Sequence, residues 1–463
     1  MKESRHRPTA DEIQALLNPK KSSQFKKFFK DYHEADIAEE VSNLPINQQH
    51  QFFLNINPEL GADILEEMTL LQQIELIQQL KTTLAAKYIE KMEPDDAADL
   101  IEELQDTDKS KANDIINALP QSEANDIQEL LTYLPNSAGS IMTSQHISIP
   151  ENLTIKNAII QIQNQNPPDS EIAFYIFITN KKHQLIGYTT LRNLLMTPDT
   201  NSIKSIRNDY PIKIHINDDQ EEVSLLFQKY NVVALPVVND NNELVGLITV
   251  DDIVDIVVEE ATEDLYKLSG TAEIDEDKLL HGHIFHPIIS RVPWLIITVL
   301  GGIVASYLIT TFSKHLNTSL FPLALCISFI PLLMGLAGNV GNQSATIVVR
   351  GIATGHLKAN NTLKYIIREL AIGSIIGLII GGLVFIISFY LLHFQALLII
   401  IVSVAILLNI MTATLLGTLL PLLFRKLHID PAIASAPFIS TSLDIIGQVI
   451  YFILTISMIN YLY

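Results

Sequence analysis

Between Pro431 and Tyr463 a single side chain carries a formal charge, Asp444. The stretch around it reads as a membrane-spanning helix. A carboxylate at mid-bilayer costs about 2.5–3.5 kcal/mol on insertion scales, so it faces a polar cavity, a cation or a partner. For a helix starting near Pro431, Asp444 lies roughly 20 Å along it, inside a hydrocarbon core about 30 Å thick. The chemistry this permits is a path for a cation. The plainer alternative is a protonated acid satisfied by neighbouring helices.

A second apolar segment carries Pro331-Leu-Leu-Met-Gly335-Leu-Ala-Gly338-Asn339-Val-Gly341-Asn342-Gln343-Ser344-Ala345. Its small residues permit close helix approach. They also tolerate a broken helix whose free carbonyls face a hydrated cavity. Asn339, Asn342, Gln343 and Ser344 supply neutral oxygens, as do Ser440, Thr441 and Ser442 before Asp444. The reading as a pore wall stands beside that of a packing seam with amides as glue. One carboxylate and many neutral oxygens, without sulfur or a His cluster, suit Mg²⁺ or Ca²⁺ better than Zn²⁺ or Cu⁺.

A third group of acids lies outside the membrane. From Asp251 to Asp264 seven of fourteen residues are Asp or Glu. Residues 252, 255, 259 and 263 recur at helical spacing and share one face. Like charges so placed repel by about 0.2–0.5 kcal/mol per pair. A solvated helix usually intersperses Lys, and here the first is Lys267. The run reads either as a divalent-cation surface or as a solvated acidic face.

The elements that position these groups divide the 463 residues sharply. From His286 onward there are three acids, Glu369, Asp430 and Asp444, and eight bases; the first 285 residues hold 48 acids and 23 bases. An acidic surface of that kind argues against nucleic acid, which needs Lys and Arg against its phosphates. Cys326 is the only cysteine, which rules out intrachain disulfides and Cys-rich zinc sites. The polar N-terminus has no apolar signal core, so the first 285 residues are expected in the cytosol.

The expected fold class is multidomain. Residues 1–135 read as an all-α superhelix of short helices punctuated by Pro45, Pro58, Pro94, Pro120 and Pro135. A recurring Asp (36, 63, 99, 114, 126) before an apolar stripe can cap a helix or favour its positive end. Two α/β modules follow, 136–200 and 201–262, each with a hairpin, Phe174–Leu191 and Leu235–Val250, and a helix. A connecting helix is expected over 263–285. The remainder, 286–463, is an all-α transmembrane domain with apolar segments at about 294–312, 320–345, 366–391, 396–423 and 432–461. With the N-terminus inside, Arg291 and the loops at Lys358 and Arg425-Lys426 are cytosolic. Lys314 and His393 fall on the other side, which agrees with the positive-inside rule and puts the C-terminus outside.

The paired modules resemble tandem cystathionine-β-synthase-type (CBS) domains. Such domains bind adenosine nucleotides through a Thr/Ser-x-x-Asp whose acid holds the ribose. The second module has Thr249-Val-Asp251-Asp252; the first has Thr190-Leu-Arg192-Asn193, with Asn in place of Asp. Arg192 remains able to meet a phosphate, so Arg192 and Asn193 mark a candidate weak ATP site.

The whole chain resembles the MgtE family of magnesium channels. The motifs are Gly338-Asn-Val-Gly-Asn-Gln-Ser-Ala345-Thr, Asp430-Pro-Ala-Ile-Ala-Ser-Ala-Pro437 with Ser442-Leu-Asp444-Ile-Ile-Gly447, Ser137-Ala-Gly-Ser-Ile-Met-Thr143, and Thr249-Val-Asp-Asp-Ile-Val-Asp255. The resemblance implies a homodimer in the cell (inner) membrane, with Asp444 of both copies facing the ion. Asn339, Asn342 and Ser440 are candidate pore lining. It also implies that cytosolic Mg²⁺ closes the pore by binding Asp63, Asp95, Asp99, Asp219, Glu221, Asp252, Asp255, Glu260, Glu263 and Asp264. Asn231 stands where a further acid is expected, and Ala436 where the family's pore varies. Mg²⁺ is then both substrate and effector, with ATP a candidate regulatory ligand. The competing readings are an ion-coupled secondary transporter of divalent cations (Mg²⁺, Co²⁺, Mn²⁺) and a nucleotide-sensing CBS regulator with a membrane anchor. An enzyme is not expected: there is no HExxH and no Ser/His/Asp set that spacing picks out.

Overall fold

The computed structural model describes residues 8–9, 12–13, 28–29, 31–165, 175–209, 212–271, 279–280, 284–316, 323–357, 362–390, 396–434 and 436–462. The chain forms two compact units, Met1–Val257 and Val258–Tyr463.

The first unit opens with seven helices: α1 (Glu34–Ser42), α2 (Ile46–Phe53), α3 (Pro58–Glu66), α4 (Leu70–Gln79), α5 (Thr82–Ile89), α6 (Pro94–Ala118) and α7 (Gln121–Leu130). Pro58 and Pro94 begin α3 and α6, while Pro45 and Pro120 cap α2 and α7. A missing N–H and a fixed φ cost nothing there. From α1 to α6 each helix packs on the next but one, α1 on α3, α2 on α4, and so on. That is the superhelix expected. Its core is anchored by Tyr88, fully buried, edge-on to Phe53 at 5.6 Å and donating its hydroxyl to the Phe53 carbonyl. Gly61 lies flat against the Tyr88 ring, where any Cβ would collide.

The recurring Asp does not cap. Only Asp36 sits in a first turn. Asp63, Asp99, Asp114 and Asp126 lie more than a turn inside helices that begin earlier, at proline or beside it. Residues 113–118 belong to the part of α6 beyond a kink, where two helices run together. α6 kinks at Asp108 (φ −145°, ψ 78°), whose Oδ1 accepts the Lys111 N–H at 3.1 Å and restarts the helix.

The modules repeat one topology. The first holds β1 (Ser148–Pro150), α8 (Ile155–Gln165), β2 (Tyr175–Thr179), β3 (Leu185–Thr190) and α9 (Leu191–Met196). The second holds β4 (Ile214–His215), α10 (Gln220–Tyr230), β5 (Ala234–Val238) and β6 (Leu244–Thr249). Each sheet has three strands in sequence order, the first pair parallel and the second antiparallel. Both hairpins carry a bulge at the same step and a left-handed residue at the same turn position, His183 (φ 59°) and Asn242 (φ 63°). α11 (Val250–Ser269) follows β6 without a break, so the expected domain boundary at residue 262 falls inside a helix.

The second unit contains α12 (Phe285–Leu316), α13 (Leu323–Ser328), α14 (Ile330–Ala353), α15 (Thr362–Tyr390), α16 (Ala396–Lys426) and α17 (Ala436–Leu462). Five spans are long and apolar enough to cross a membrane: Phe285–Lys314, Ala324–Ala353, Thr362–Tyr390, Ala396–Lys426 and Ala436–Met458. α16 packs on α14, α15 and α17, and α12 packs on α17. Gly373, Gly377 and Gly381 let α15 lie directly against Thr414, Leu407 and Ser403 of α16, the close approach that small residues allow within a bilayer. Of the connecting helix expected over 263–285, residues 263–269 are the end of α11, and residues 272–278 and 281–283 lie outside the described residues, as do Lys358 and His393.

Two expectations are corrected here. The glycine- and amide-rich run is continuous helix in α14; the break comes earlier, at Phe329, two residues before Pro331. Proline ends a helix by sterics, whereas glycine only permits a break, and the packed neighbours of α14 keep it helical. The Cys326 carbonyl at this break accepts the Tyr451 hydroxyl at 2.9 Å. Second, α17 begins at Ala436 and not at Pro431, because Asp430 caps a separate 3₁₀ turn, Pro431–Ile433. Asp444 therefore lies about 12 Å into its helix.

Candidate cation path and acidic clusters

α14 and α17 meet through residues the sequence singled out. Asn342 Nδ2 donates to Ser440 Oγ at 3.2 Å. Gly338 makes room for the same hydroxyl, 3.4 Å from where a Cβ would stand. Ser440 lies one turn before Asp444, on the same side of α17. Asp444 is half-buried, and no hydrogen bond or ion pair reaches it among the described residues. Asn339 and Gln343 lie on an exposed face of α14. The structure thus joins Asn342 to Ser440 and leaves Asn339 apart.

Three residues of this unit were given no site role by the sequence reading, although Glu369 was counted among its acids. Asn409 and Gln448 are each 2% exposed. Neither amide atom of Asn409, nor Gln448 Oε1, has a partner among the described residues. Asn409 Oδ1 lies 3.2 Å from the Cβ position of Gly447, and Gln448 reaches the Met334 sulfur at 3.4 Å. The third, Glu369, is 7% exposed and lies about as many residues into α15 as Asp444 does into α17. Asp444 is therefore not the only deeply placed acid. A lone polar residue in an apolar run was the available signal for all three.

In the first unit, acids from two domains converge. Asp95 and Asp96 open α6, where the positive helix end favours them. Asp95 is 8% exposed, its Oδ1 unpartnered among the described residues. Burial, then the charge of Asp252, pushes its carboxyl well above the usual range. Asp252 accepts the Thr249 hydroxyl at 2.6 Å and is pushed up to about 6 by burial and by Asp251 and Asp255. Around them Glu93 rises to about 7, through burial and the charges of Asp252 and Asp251. Glu66 also rises to about 7, mainly by burial. Asp96 rises to about 8, by burial and by Glu66, Asp252, Glu93 and Asp99. The sequence named Asp95, Asp99 and Asp252, and Asp251 as part of the acidic run, but missed Glu66, Glu93 and Asp96. Asp63 is raised by burial and by Glu34, and Asp255 by burial and Asp251. Asp219 instead caps α10, its Oδ1 accepting the Glu221 N–H at 2.8 Å. Among the described residues no three His, Cys, Asp or Glu are arranged to hold a metal ion.

In the second unit the end of α11 carries Glu263, Asp264 and Lys267. Lys267 Nζ contacts Glu263 and donates to Asp430 Oδ2 at 2.6 Å. Asp264 is pushed up to about 6 by burial and Asp430, against Lys267 and Arg350, which favour its charge. Glu260 lies one turn before Asp264 in the same helix.

In both modules the threonine of the motif makes a local hydrogen bond. Thr190 Oγ1 accepts the Asn193 N–H at 3.2 Å and caps α9, while Arg192 is exposed. In the second module Asp252 Oδ2 accepts the Thr249 hydroxyl and N–H, and its charge acts on Asp95.

Family models match three parts of the chain: MgtE, divalent cation transporter, over residues 330–454; the MgtE intracellular N domain over 32–136; and a CBS domain over 203–259. The magnesium transporter MgtE of Thermus thermophilus is 32% identical over 328 residues, 70% of each chain. That of Bacillus subtilis is 29% identical over 437 residues, 94% of each chain. A solved structure of the soluble part of a magnesium transporter is similar at 28% identity and a TM-score of 0.50, covering 54% of this chain and 98% of that one. A second, the cytosolic domain of the Mg²⁺ channel MgtE in complex with ATP, has 23% identity and a TM-score of 0.50 over 54% of this chain and all of that one; it supports the fold alone. The likeness runs through the soluble helices, the strand modules and the spans alike, and the chain belongs to the MgtE family: a multi-pass membrane transporter, not an enzyme, with an intracellular N-terminal domain.

Proposed function

We propose that this protein is a Mg²⁺-selective channel for magnesium uptake, built as a homodimer in the cell membrane with its C-terminus outside and closed by cytosolic Mg²⁺. The observation that carries the reading is the Asn342–Ser440 hydrogen bond one turn from Asp444, which gathers neutral oxygens beside a lone half-buried carboxylate. Mg²⁺ gives up its water reluctantly, so carboxylates from two copies would hold it through its hydration shell. A water-mediated site also releases the ion, as conduction requires.

Closure would work through the acids around Asp95 and Asp252. Their mutual repulsion opposes the contact between N domain and second module, and Mg²⁺ relieves it. Moving a gate from 1:99 to 99:1 takes about 5.5 kcal/mol, which several weak sites acting together can supply. Asp63, Asp99, Asp219, Glu221, Asp255, Glu260, Glu263 and Asp264 remain candidates for the further sites. ATP, bound near the exposed Arg192, is a candidate modulator.

The test is the current carried by purified protein in a bilayer as cytosolic Mg²⁺ is varied. Mg²⁺ currents that fall as cytosolic Mg²⁺ rises are expected; flux that strictly follows a proton or sodium gradient, without currents, would sink the channel reading. Buried Glu369 favours that second reading, an ion-coupled transporter, because it supplies the second membrane carboxylate such coupling needs.

A further inference from the structure

We propose that Lys267 is a built-in counter-cation that fastens the end of α11 to the start of α17 and holds this part of the closed state without Mg²⁺. The proposal rests on the reading of the α11 acids as part of a gate.

Lys267 Nζ sits between two carboxylates, Glu263 one turn back on its own helix and Asp430 Oδ2 at 2.6 Å. The three side chains are 25%, 12% and 33% exposed, so the pair is sheltered beyond an ordinary surface contact. Asp430 is itself fixed: its other oxygen, Oδ1, accepts the Ala432 N–H at 2.8 Å and caps the turn that leads into α17. Lys267 thus pulls on the residue that positions the helix carrying Asp444.

A second contact makes the attachment directional. Gly270, at φ +78°, closes α11, its N–H donating to the Lys267 carbonyl at 3.0 Å. A Cβ there would lie 2.5 Å from Pro437 Cγ, at the first turn of α17. Movement of α11 therefore reaches α17 through an ion pair and a steric contact only three residues apart.

The charges explain why a lysine matters. Glu263, Asp264 and Asp430 carry three negative charges; Lys267 acts on all three, and Arg350 acts on Asp264. Without Lys267, Glu263 and Asp430 lose their shared cation, only Asp264 keeps a base acting on it, Arg350, and the clasp becomes repulsive. A divalent cation would then have to do what the ammonium already does.

The test compares full-length wild type with Lys267→Met, Lys267→Arg, Asp430→Asn and the Lys267→Met/Asp430→Asn double variant in proteoliposomes, by Mg²⁺ flux with the cytosolic face first chelated and then titrated with Mg²⁺. Asn at 430 keeps the acceptor for the Ala432 N–H and removes only the charge. Lys267→Met and Asp430→Asn should each raise Mg²⁺-free flux roughly three- to tenfold, between the effect of an exposed ion pair and a desolvated one. The double variant should be no leakier than either single one, and Lys267→Arg should stay near wild type. Wild-type flux in both single variants, additive effects in the double variant, or equal leak in Lys267→Arg each overturns the clasp. If Lys267→Met does not fold, Asp430→Asn and Lys267→Arg still decide it. If wild-type flux ignores cytosolic Mg²⁺, the sensor reading fails, while the Mg²⁺-free comparison still judges the clasp.

Discussion

Replacing Asp252 by Asn should tighten the contact between the N domain and the second CBS module when Mg²⁺ is absent. The Asp252 carboxyl is raised from 3.8 to about 6, first by burial and then by Asp251 and Asp255. At about 1.36 kcal/mol per unit, the raised value corresponds to roughly 3 kcal/mol of unfavourable charge near neutral pH. Asp252 is only half-buried, so solvent screening reduces this to about 1.5 kcal/mol, a factor of about ten in the closing equilibrium. The sign follows from linkage: stability from an acid with a raised value is fully present below the unfolded value near 4 and lost as pH rises through the folded one near 6. Glu66 and Glu93, at about 7, and Asp96, at about 8, carry the loss on toward pH 8. The assay is hydrogen exchange of the first turns of α6 in the full-length protein, with and without Mg²⁺, between pH 5 and pH 8. Wild type should lose protection as pH rises and regain it with Mg²⁺. Asp252→Asn should be about tenfold better protected at pH 7.5 without Mg²⁺ and gain less from adding it, the Thr249 hydroxyl still having an oxygen to meet. Equal protection of the two proteins at pH 7.5, or a difference that persists unchanged at pH 4, would refute the repulsion argument.

Asp444→Asn keeps the shape of the side chain and removes its charge; Mg²⁺ flux should fall by at least about tenfold, the loss of one charged contact of about 1.4 kcal/mol, with the dimer intact on gel filtration. Glu369→Gln should leave Mg²⁺ currents within a few fold of wild type and independent of the pH gradient, since a passive channel needs no second titrating group; abolished flux would favour the coupled transporter. Tyr451→Phe should lower thermal stability by about 1 kcal/mol, measured by unfolding in detergent, because the Cys326 carbonyl loses its donor.

Much of the architecture was legible because its causes are local. Prolines mark helix starts wherever their missing N–H is harmless, as at Pro58 and Pro94. The duplicated hairpins announce themselves through alternation and turn residues, and the structure matches them to the same bulge. Apolar length alone located the five spans. The misread features were local too, but ambiguous. An Asp before an apolar stripe looks the same at a cap as it does in mid-helix, and glycines that could break α14 do not, because packing around them holds the helix.

What the sequence by itself determined is the division of this chain: an acidic helical and strand-built half, an apolar half, and in its last apolar segment a single carboxylate, Asp444, with amides elsewhere to meet it. Composition and periodicity act over a few residues, so they survive without a fold. The tertiary structure decided which charges meet. Asp95 and Asp252 are 157 positions apart in the chain, and Lys267 and Asp430 are 163. No spacing rule links them, because the energy of a charge depends on burial and on neighbours that only packing brings near. Glu369 and Asn409 make the same point: each is one polar letter in an apolar run, and only packing buried them.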